Sequence, residues 1–380
     1  MSEQRSKAEE AAELYKALGS VRAVARALGI DRSSAQARLR TAKKRGLLSE
    51  SKFIMPEGMS LRGVTALVDA EGRIKHQYFL ARQDSSNALA ELKVFADGLR
   101  DDLPRAPPVE PPQITQTDLL TQYTLTDLHF GMLAWGEETR GADYDLGIAE
   151  NLLVRWFDLA IALAPPSEVA IFAQLGDFLH YDSLKAITPE HGNLLDVDSR
   201  FQKVVRVAIR VVRRIVAQLL QKHQIVHIKW CSANHDLASS AIFRELLTAH
   251  YENEPRVSVD CSPSEYYAYE WGRTALFYHH GHRRKPHDVD RIFAATFSEL
   301  FGRSEHRYAH MGHKHEDRIE ETQLMRVEQH RTLAPPDAFA ASGGWISGRD
   351  AKITTYSKKW GKVSESTISA KMAGSELDDR

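Results

Sequence analysis

The stretch AHMGHKHED (309–317) places His310, His313 and His315 within six positions, in a run with little helical or apolar logic. The residues leading into it, HRYAHM (306–311), read as a strand. The imidazoles therefore crowd the point where a strand ends. One crowded strand end decides nothing by itself, so its partners must come from elsewhere in the chain.

Working outward, the same arrangement recurs. LLTQYTLT (119–126) reads as a strand running into TDLHFG (126–131), and EVAIFAQL (168–175) as a buried strand running into LGDFLHYD (175–182). IVHIKWCS (225–232) is followed at once by SANHD (232–236), and TALFYHH (274–280) ends within YHHGH (278–282). Helical patterns at 145–164 and 199–223 separate these strands. Strands alternating with helices predict an α/β fold, whose ligands collect beyond the carboxyl ends of the strands. Five such ends could converge on one cleft. Fifteen of the 17 histidines lie between 129 and 315, about half the chain, so they are enriched where the strand ends are.

Carboxylate, imidazole and carboxamide donors together suit divalent ions such as Mn²⁺, Fe²⁺ or Zn²⁺, with manganese placed first. Two ions about 3.5–4 Å apart need a shared ligand. Asp177, after a glycine at a strand end, is the candidate bridge.

Taken in order, the five blocks resemble the calcineurin-like metallophosphoesterase superfamily, whose pattern is D-x-H, G-D, G-N-H-D/E, a lone H, then G-H-x-H. The resemblance covers roughly 118–345 and implies an αββα two-sheet sandwich. It implies that Asp127, His129 and His315 hold a first metal ion, that Asn234, His280 and His313 hold a second, and that Asp177 bridges them. It further implies that His235 contacts the phosphate and protonates the leaving oxygen, with Asp236 orienting that imidazole. Two cations would polarise the phosphoryl oxygens and acidify a water as nucleophile, and the ordinary pKa of histidine suits His235 to an acid role. GDFLH (176–180) resembles the break-repair nuclease branch and implies a substrate-side role for His180. The chain departs from the pattern at Ala233, where the family has glycine, and a methyl group there could crowd a tight turn. Within YHHGH the family register favours His280, yet His279 or His282 could serve. His191, His223, His227, His250 and His306 read as surface or structural residues. Trp135 and Trp345 could stack a base, but covering the cleft is the simpler reading.

The first 50 residues carry 11 Lys and Arg against 6 Asp and Glu, while the rest carries 39 against 45. A basic head on a mildly acidic body points the head at a polyanion. Its segment 19–48 has a helix–turn–helix rhythm. Val21, Val24, Ala25 and Leu28 share a helix face, Gly29 is free to take positive φ, and Asp31 can cap the next helix. That helix brings Arg32, Arg38, Arg40, Lys43, Lys44 and Arg45, a candidate recognition surface for DNA. The segment resembles those of phage and transposase-like DNA-binding proteins, and the whole architecture is reminiscent of phage or prophage proteins.

The expected organisation is a helix–turn–helix domain over 1–50, a small module over 51–102, a proline-rich linker over 103–117, a metallophosphoesterase domain over 118–356 and a C-terminal strand and tail over 357–380. The small module combines a β-hairpin at 60–82, turned by DAEG (69–72), with a helix at 85–100. The linker holds five prolines, which favour an extended spacer. Two cysteines, neither in a C-x-x-C pair, exclude a disulfide framework and a thiolate metal site. No segment has the apolar length of a membrane span, and the N-terminus has no apolar signal core, so a cytoplasmic protein is expected. Together these readings point to a metal-dependent phosphodiesterase acting on DNA. A phosphomonoesterase, or a DNA-binding regulator with a vestigial site, are the rivals. The sequence leaves the oligomeric state open.

Overall fold

SEVAIFAQ (167–174) is apolar on both faces, as a central parallel strand must be. In the computed structural model Val169, Ile171 and Ala173 enter one buried cluster, and Ala170 and Phe172 enter another. The structure describes residues 6–44, 59–68, 74–83, 105–113, 115–189 and 192–374. They fall into two units, divided after Asn87.

In the first unit, α1 (Lys7–Leu18), α2 (Val21–Leu28) and α3 (Arg32–Lys44) pack around Ala11, Val24, Ala25, Ala35 and Leu39. Each helix boundary has a local cause. The Ser6 hydroxyl and the Glu9 carboxylate cap α1 reciprocally. Gly19 and Gly29 take φ of 65° and 63° and close α1 and α2. The Asp31 carboxylate accepts the Ser34 N–H at 2.9 Å and opens α3. Hydroxyl hydrogen bonds from Ser33 and Ser34 hold that carboxyl below its usual range. On α3, Arg32, Arg40 and Lys43 are exposed and Arg38 is half-buried. Only the backbone of Lys44 is described, and Arg45 lies outside the described residues. The strands β1 (Met59–Val68) and β2 (Ile74–Gln83) pair antiparallel, as the hairpin reading expects. The DAEG turn and the helix expected at 85–100 lie outside the described residues.

In the second unit, β3 (Gln116–Leu125), β4 (Ser167–Gln174), β5 (Ile225–Trp230) and β6 (Val257–Val259) run parallel. Between them come α4 (Gly136–Thr139), α5 (Leu146–Leu163), α6 (Phe201–Lys222) and α7 (Leu237–His250). A second sheet holds β7 (Tyr267–Trp271), β8 (Thr274–His279), β9 (His306–Met311), β10 (Arg318–Glu321) and β11 (Arg326–Gln329). Its helices are α8 (Pro286–Thr296) and α9 (Ser298–Arg303). After α10 (Ala338–Ser342) the chain returns to the first sheet as β12 (Asp350–Ser357) and β13 (Gly361–Ser369), and the last element among the described residues is α11 (Ala370–Gly374).

Three buried clusters make the layers. Trp156, Phe157, Val212 and Leu219 pack helices onto the outer face of the first sheet. Val169, Ile171, Leu276 and Tyr278 lie between the two sheets. Phe277, Phe293 and Val327 join the second sheet to its helices. The result is an αββα sandwich. The segment set apart with the tail belongs to this core, because β13 is an edge of the six-stranded sheet. The proline run is no free spacer over 105–113. The Val109 N–H donates to Glu254 at 2.6 Å, and the carbonyls of Val109 and Pro112 accept from Arg256 and Gln224 at 2.8 and 2.6 Å. An extended segment without N–H groups at its prolines still offers carbonyls, and those are what the domain surface holds. Among the described residues no helix is long and apolar enough to cross a membrane.

His223, just past α6, shows how this core treats an imidazole. Its Nδ1–H donates to the Ser167 carbonyl at 2.9 Å, so Nε2 accepts from the Tyr123 hydroxyl at 2.9 Å. Burial pulls its pKa down to about 4. The folded state therefore excludes a proton that the unfolded chain binds below about 6.5. Stability should fall as pH drops from about 6.5 through 4, by on the order of 3 kcal/mol from this residue. Denaturant melts across that range should show a slope steeper for wild type than for His223→Gln by up to about one proton. Equal slopes would refute it.

Candidate metal centre

The ligand-type side chains leave the carboxyl ends of β3, β4, β5, β8 and β9, so two sheets deliver them to one edge. The backbone there is unusual. Asp127, His129, Asp177, His313 and His315 all have positive φ, between 48° and 72°. A non-glycine residue in this region costs about 1–3 kcal/mol and persists only where its surroundings impose it. Close approach of the strand ends is part of that imposition. A Cβ on Gly312 would overlap the Thr126 hydroxyl and lie 2.7 Å from Asp127 Oδ2. A Cβ on Gly176 would lie 2.5 Å from both the Ala233 methyl and His280 Nδ1. Ala233 thus fits because Gly176 leaves the space, and the departure from the family pattern crowds nothing.

Besides His129, His180 and His235, whose ring nitrogens also come together, two donor groups at this edge contain a carboxylate. Asp127, His129 and His315 bring ligand atoms within 4.8 Å of one another, and so do Asp177, His280 and His313. In the first, Asp127 Oδ2 accepts the His313 N–H at 2.8 Å and the Thr126 hydroxyl. Its Oδ1 is buried, lies 3.2 Å from His315 Nε2, and accepts no hydrogen bond. In the second, His280 Nδ1–H donates to the Leu175 carbonyl at 2.9 Å. His280 Nε2 then faces Asp177 Oδ2 at 3.1 Å and Asn234 Oδ1 at 3.2 Å. Burial disfavours a proton on that ring, but the Asp177 and Asp127 carboxylates outweigh it and lift its pKa to about 9. An imidazole nitrogen facing two oxygens needs either a proton or a cation between them. Asp177 also accepts the His235 N–H at 2.9 Å on Oδ1 and the His129 N–H at 3.1 Å on its main-chain carbonyl, so it borders both groups. These residues, with the orphaned Asp127 oxygen, fit divalent cations.

His279 is turned away from this edge and stacks on Tyr266 with ring centroids 4.7 Å apart. His282 lies 5.4 Å from the His280 ring, outside both donor groups. A further buried trio, His310, Glu328 and His330, is a network of another kind. His310 joins His330 and Tyr356 at 2.9 Å each, and Glu328 already holds Lys362 at 2.9 Å and Arg326 at 2.8 Å. Its charge is met without an ion.

One expected role changes. Asp236 does not orient His235. Its carboxylate accepts the Leu179 N–H and the Ser240 hydroxyl, each at 3.0 Å, beneath the site. The His180 carbonyl, 2.8 Å from His235 Nδ1, orients that ring instead. The His180 ring is 1% exposed, stacks on the His235 ring with centroids 5.6 Å apart, and sets its Nδ1 3.3 Å from His129 Nδ1. Burial pulls its pKa down to about 3, so it supports His129 as a neutral partner.

Other contributors carry no motif. The Thr332 hydroxyl donates to the Asp127 carbonyl at 2.6 Å. Gln174 brackets Gly176 with bonds of 2.9 and 3.0 Å. Asp182 accepts the Ala238 and Ser239 N–H groups at 2.6 and 2.7 Å and caps α7, which opens beside the site.

No protein-family model matches the chain, and no curated protein does. Solved structures to which the chain is similar include an archaeal phosphodiesterase, at 14% identity and a TM-score of 0.32, covering 65% of this chain and 99% of that one. A predicted phosphoesterase of Streptococcus pneumoniae TIGR4 is similar at 10% identity and a TM-score of 0.26, with coverage of 67% and 99%. YfcE, a phosphoesterase from E. coli, is similar at 11% identity and a TM-score of 0.27, with coverage of 65% and 98%.

Because Asp177 borders both groups, Asp177→Asn should lower the divalent metal held per chain after loading with manganese, read by elemental analysis. Undiminished metal would remove Asp177 from both groups. Gly312→Ala alters no ligand, yet should weaken manganese binding about 10- to 100-fold in calorimetric titration, because the new methyl displaces Thr126 and Asp127.

Proposed function

We propose that this chain is a dinuclear metal-dependent phosphodiesterase that cleaves DNA. The observation that carries the hydrolytic reading is two adjacent donor groups bordered by one carboxylate, Asp177, with His235 beside them. Asp127, His129 and His315 would hold one ion, and Asn234, His280 and His313 the other, with Asp177 between. Ions bound there supply positive charge that polarises a phosphoryl group and acidifies water. The donors are imidazole, carboxylate and carboxamide without a thiolate, which suits manganese, iron or zinc.

The chain's own contribution is proton transfer and orientation. His235 is half-buried, and its ring lies 4.8 Å from that of His129. With Nδ1–H given to the His180 carbonyl, Nε2 is the nitrogen left to carry a proton to the departing oxygen. DNA is favoured as substrate by the first unit. Its α3 displays Arg32, Arg40 and Lys43 to solvent, and only Asp31 is acidic between residues 20 and 46. Residues 1–50 would bind the duplex and residues from 118 onward would cut it.

With Mn²⁺, bis(p-nitrophenyl) phosphate should be turned over faster than p-nitrophenyl phosphate, and linear or nicked DNA should be cut. DNA left intact beside rapid monoester turnover would end the nuclease reading. His235→Asn should lower kcat about 10²- to 10⁴-fold while manganese content stays at two per chain.

A further inference from the structure

Around the proposed centre, large aromatic side chains stand in solvent. Trp135 is 58% exposed, Phe339 70% and Trp345 61%. Trp135 follows His129 by six residues, which places it within about 20 Å even along a fully extended chain. The Phe339 and Trp345 rings meet edge-on with centroids 5.3 Å apart. Their segment starts at Thr332, which holds the Asp127 carbonyl, and passes Pro336 beside Gly141, so α10 lies against α4, the helix that Trp135 opens. These rings therefore belong to the side of the first donor group.

The side of the second group has the opposite chemistry. HGHRRK (280–285) leads from the ligand-type His280 directly to Arg283, Arg284 and Lys285, all exposed. Lys314, exposed between His313 and His315, adds a fourth positive charge. Glu265 lies 3.7 Å from Arg283 and tempers one of them. The charges of Arg283 and Lys314 are close enough to act on the His282 and His313 imidazoles.

We infer that this mouth binds an unpaired nucleic-acid strand, its phosphates along 283–285 and Lys314 and its bases on Trp135, Phe339 and Trp345. The inference rests on the nuclease reading and narrows it. Bases in a duplex have their faces stacked on each other, whereas an unpaired strand offers every face to an aromatic ring. Basic residues along the same path neutralise the backbone and make binding salt-dependent. A protein partner would also cover exposed rings, but it gives no reason for the basic run across the centre.

The test compares kcat/KM of the full chain with Mn²⁺ on a labelled single strand, its duplex and an abasic strand of equal length. The base-bearing single strand should be preferred. In Trp135→Ala/Trp345→Ala its preference over the abasic strand should fall roughly tenfold or more, whereas Trp345→Phe should keep it. Arg284→Ala/Lys285→Ala should weaken both strands alike and flatten the salt dependence. A tryptophan double variant with the wild-type preference, or better cleavage of the duplex, overturns the inference and leaves the nuclease reading standing. Turnover of bis(p-nitrophenyl) phosphate with no oligonucleotide cut at all defeats both.

Discussion

Two carboxylates, Asp127 and Asp177, are buried at 0% and 2% exposure, and among the described residues neither has a lysine or arginine as a hydrogen-bond or ion-pair partner. A buried carboxylate needs compensating charge, since desolvation otherwise favours the neutral acid. The groups facing these two are imidazoles, main-chain N–H groups and one hydroxyl. Imidazoles compensate either by taking protons or by sharing a cation. The rest of the centre is arranged around that requirement.

The arrangement is local and strained. Five ligand-type residues adopt left-handed backbone, and two glycines stand where a methyl would strike a ligand or its support. Such strain persists because long-range contacts overdetermine it. Thr332 reaches Asp127 across 205 residues of sequence, and the His313 N–H reaches it across 186. The sheets make this possible. β8 and β9 run parallel in one sheet, β3, β4 and β5 run parallel in the other, and all five end at the same edge. Apolar packing between the sheets fixes their relative position, so the two donor groups meet without either sheet holding a complete set.

This explains what could be read from the chain. The strands β3, β4, β5, β8 and β9 announce themselves by apolar runs, and each is followed directly by the donors it delivers. Sequence neighbourhood and spatial neighbourhood coincide there. They part company at Asp236 and His180. Asp236 adjoins His235 in sequence, but at the entrance to α7 its side chain turns inward to Leu179 and Ser240. His180 ends a motif, yet its carbonyl, which no motif encodes, is the group that orients His235. The prolines of 105–113 say nothing about the acceptors that Arg256 and Gln224 use. β13 is mostly polar outward, so its place on the sheet edge is hidden until its pairing with β12 is seen.

Histidine identity is the hardest feature to read, and the reason is chemical. His223, His235 and His280 each give Nδ1–H to a main-chain carbonyl, of Ser167, His180 and Leu175. Fixing the ring therefore does not separate a structural histidine from a ligand. What separates them is the group opposite Nε2. At His223 it is the Tyr123 hydroxyl, which can donate, so the lone pair is satisfied and the ring is complete. At His280 it is a carboxylate and a carboxamide oxygen, which cannot, so that nitrogen must hold a proton or give its lone pair to a cation. Tyr123 is 100 residues from His223, and Asn234 is 46 from His280. The distinction is made by the fold, which decides whether a donor or an acceptor is brought to face the same nitrogen.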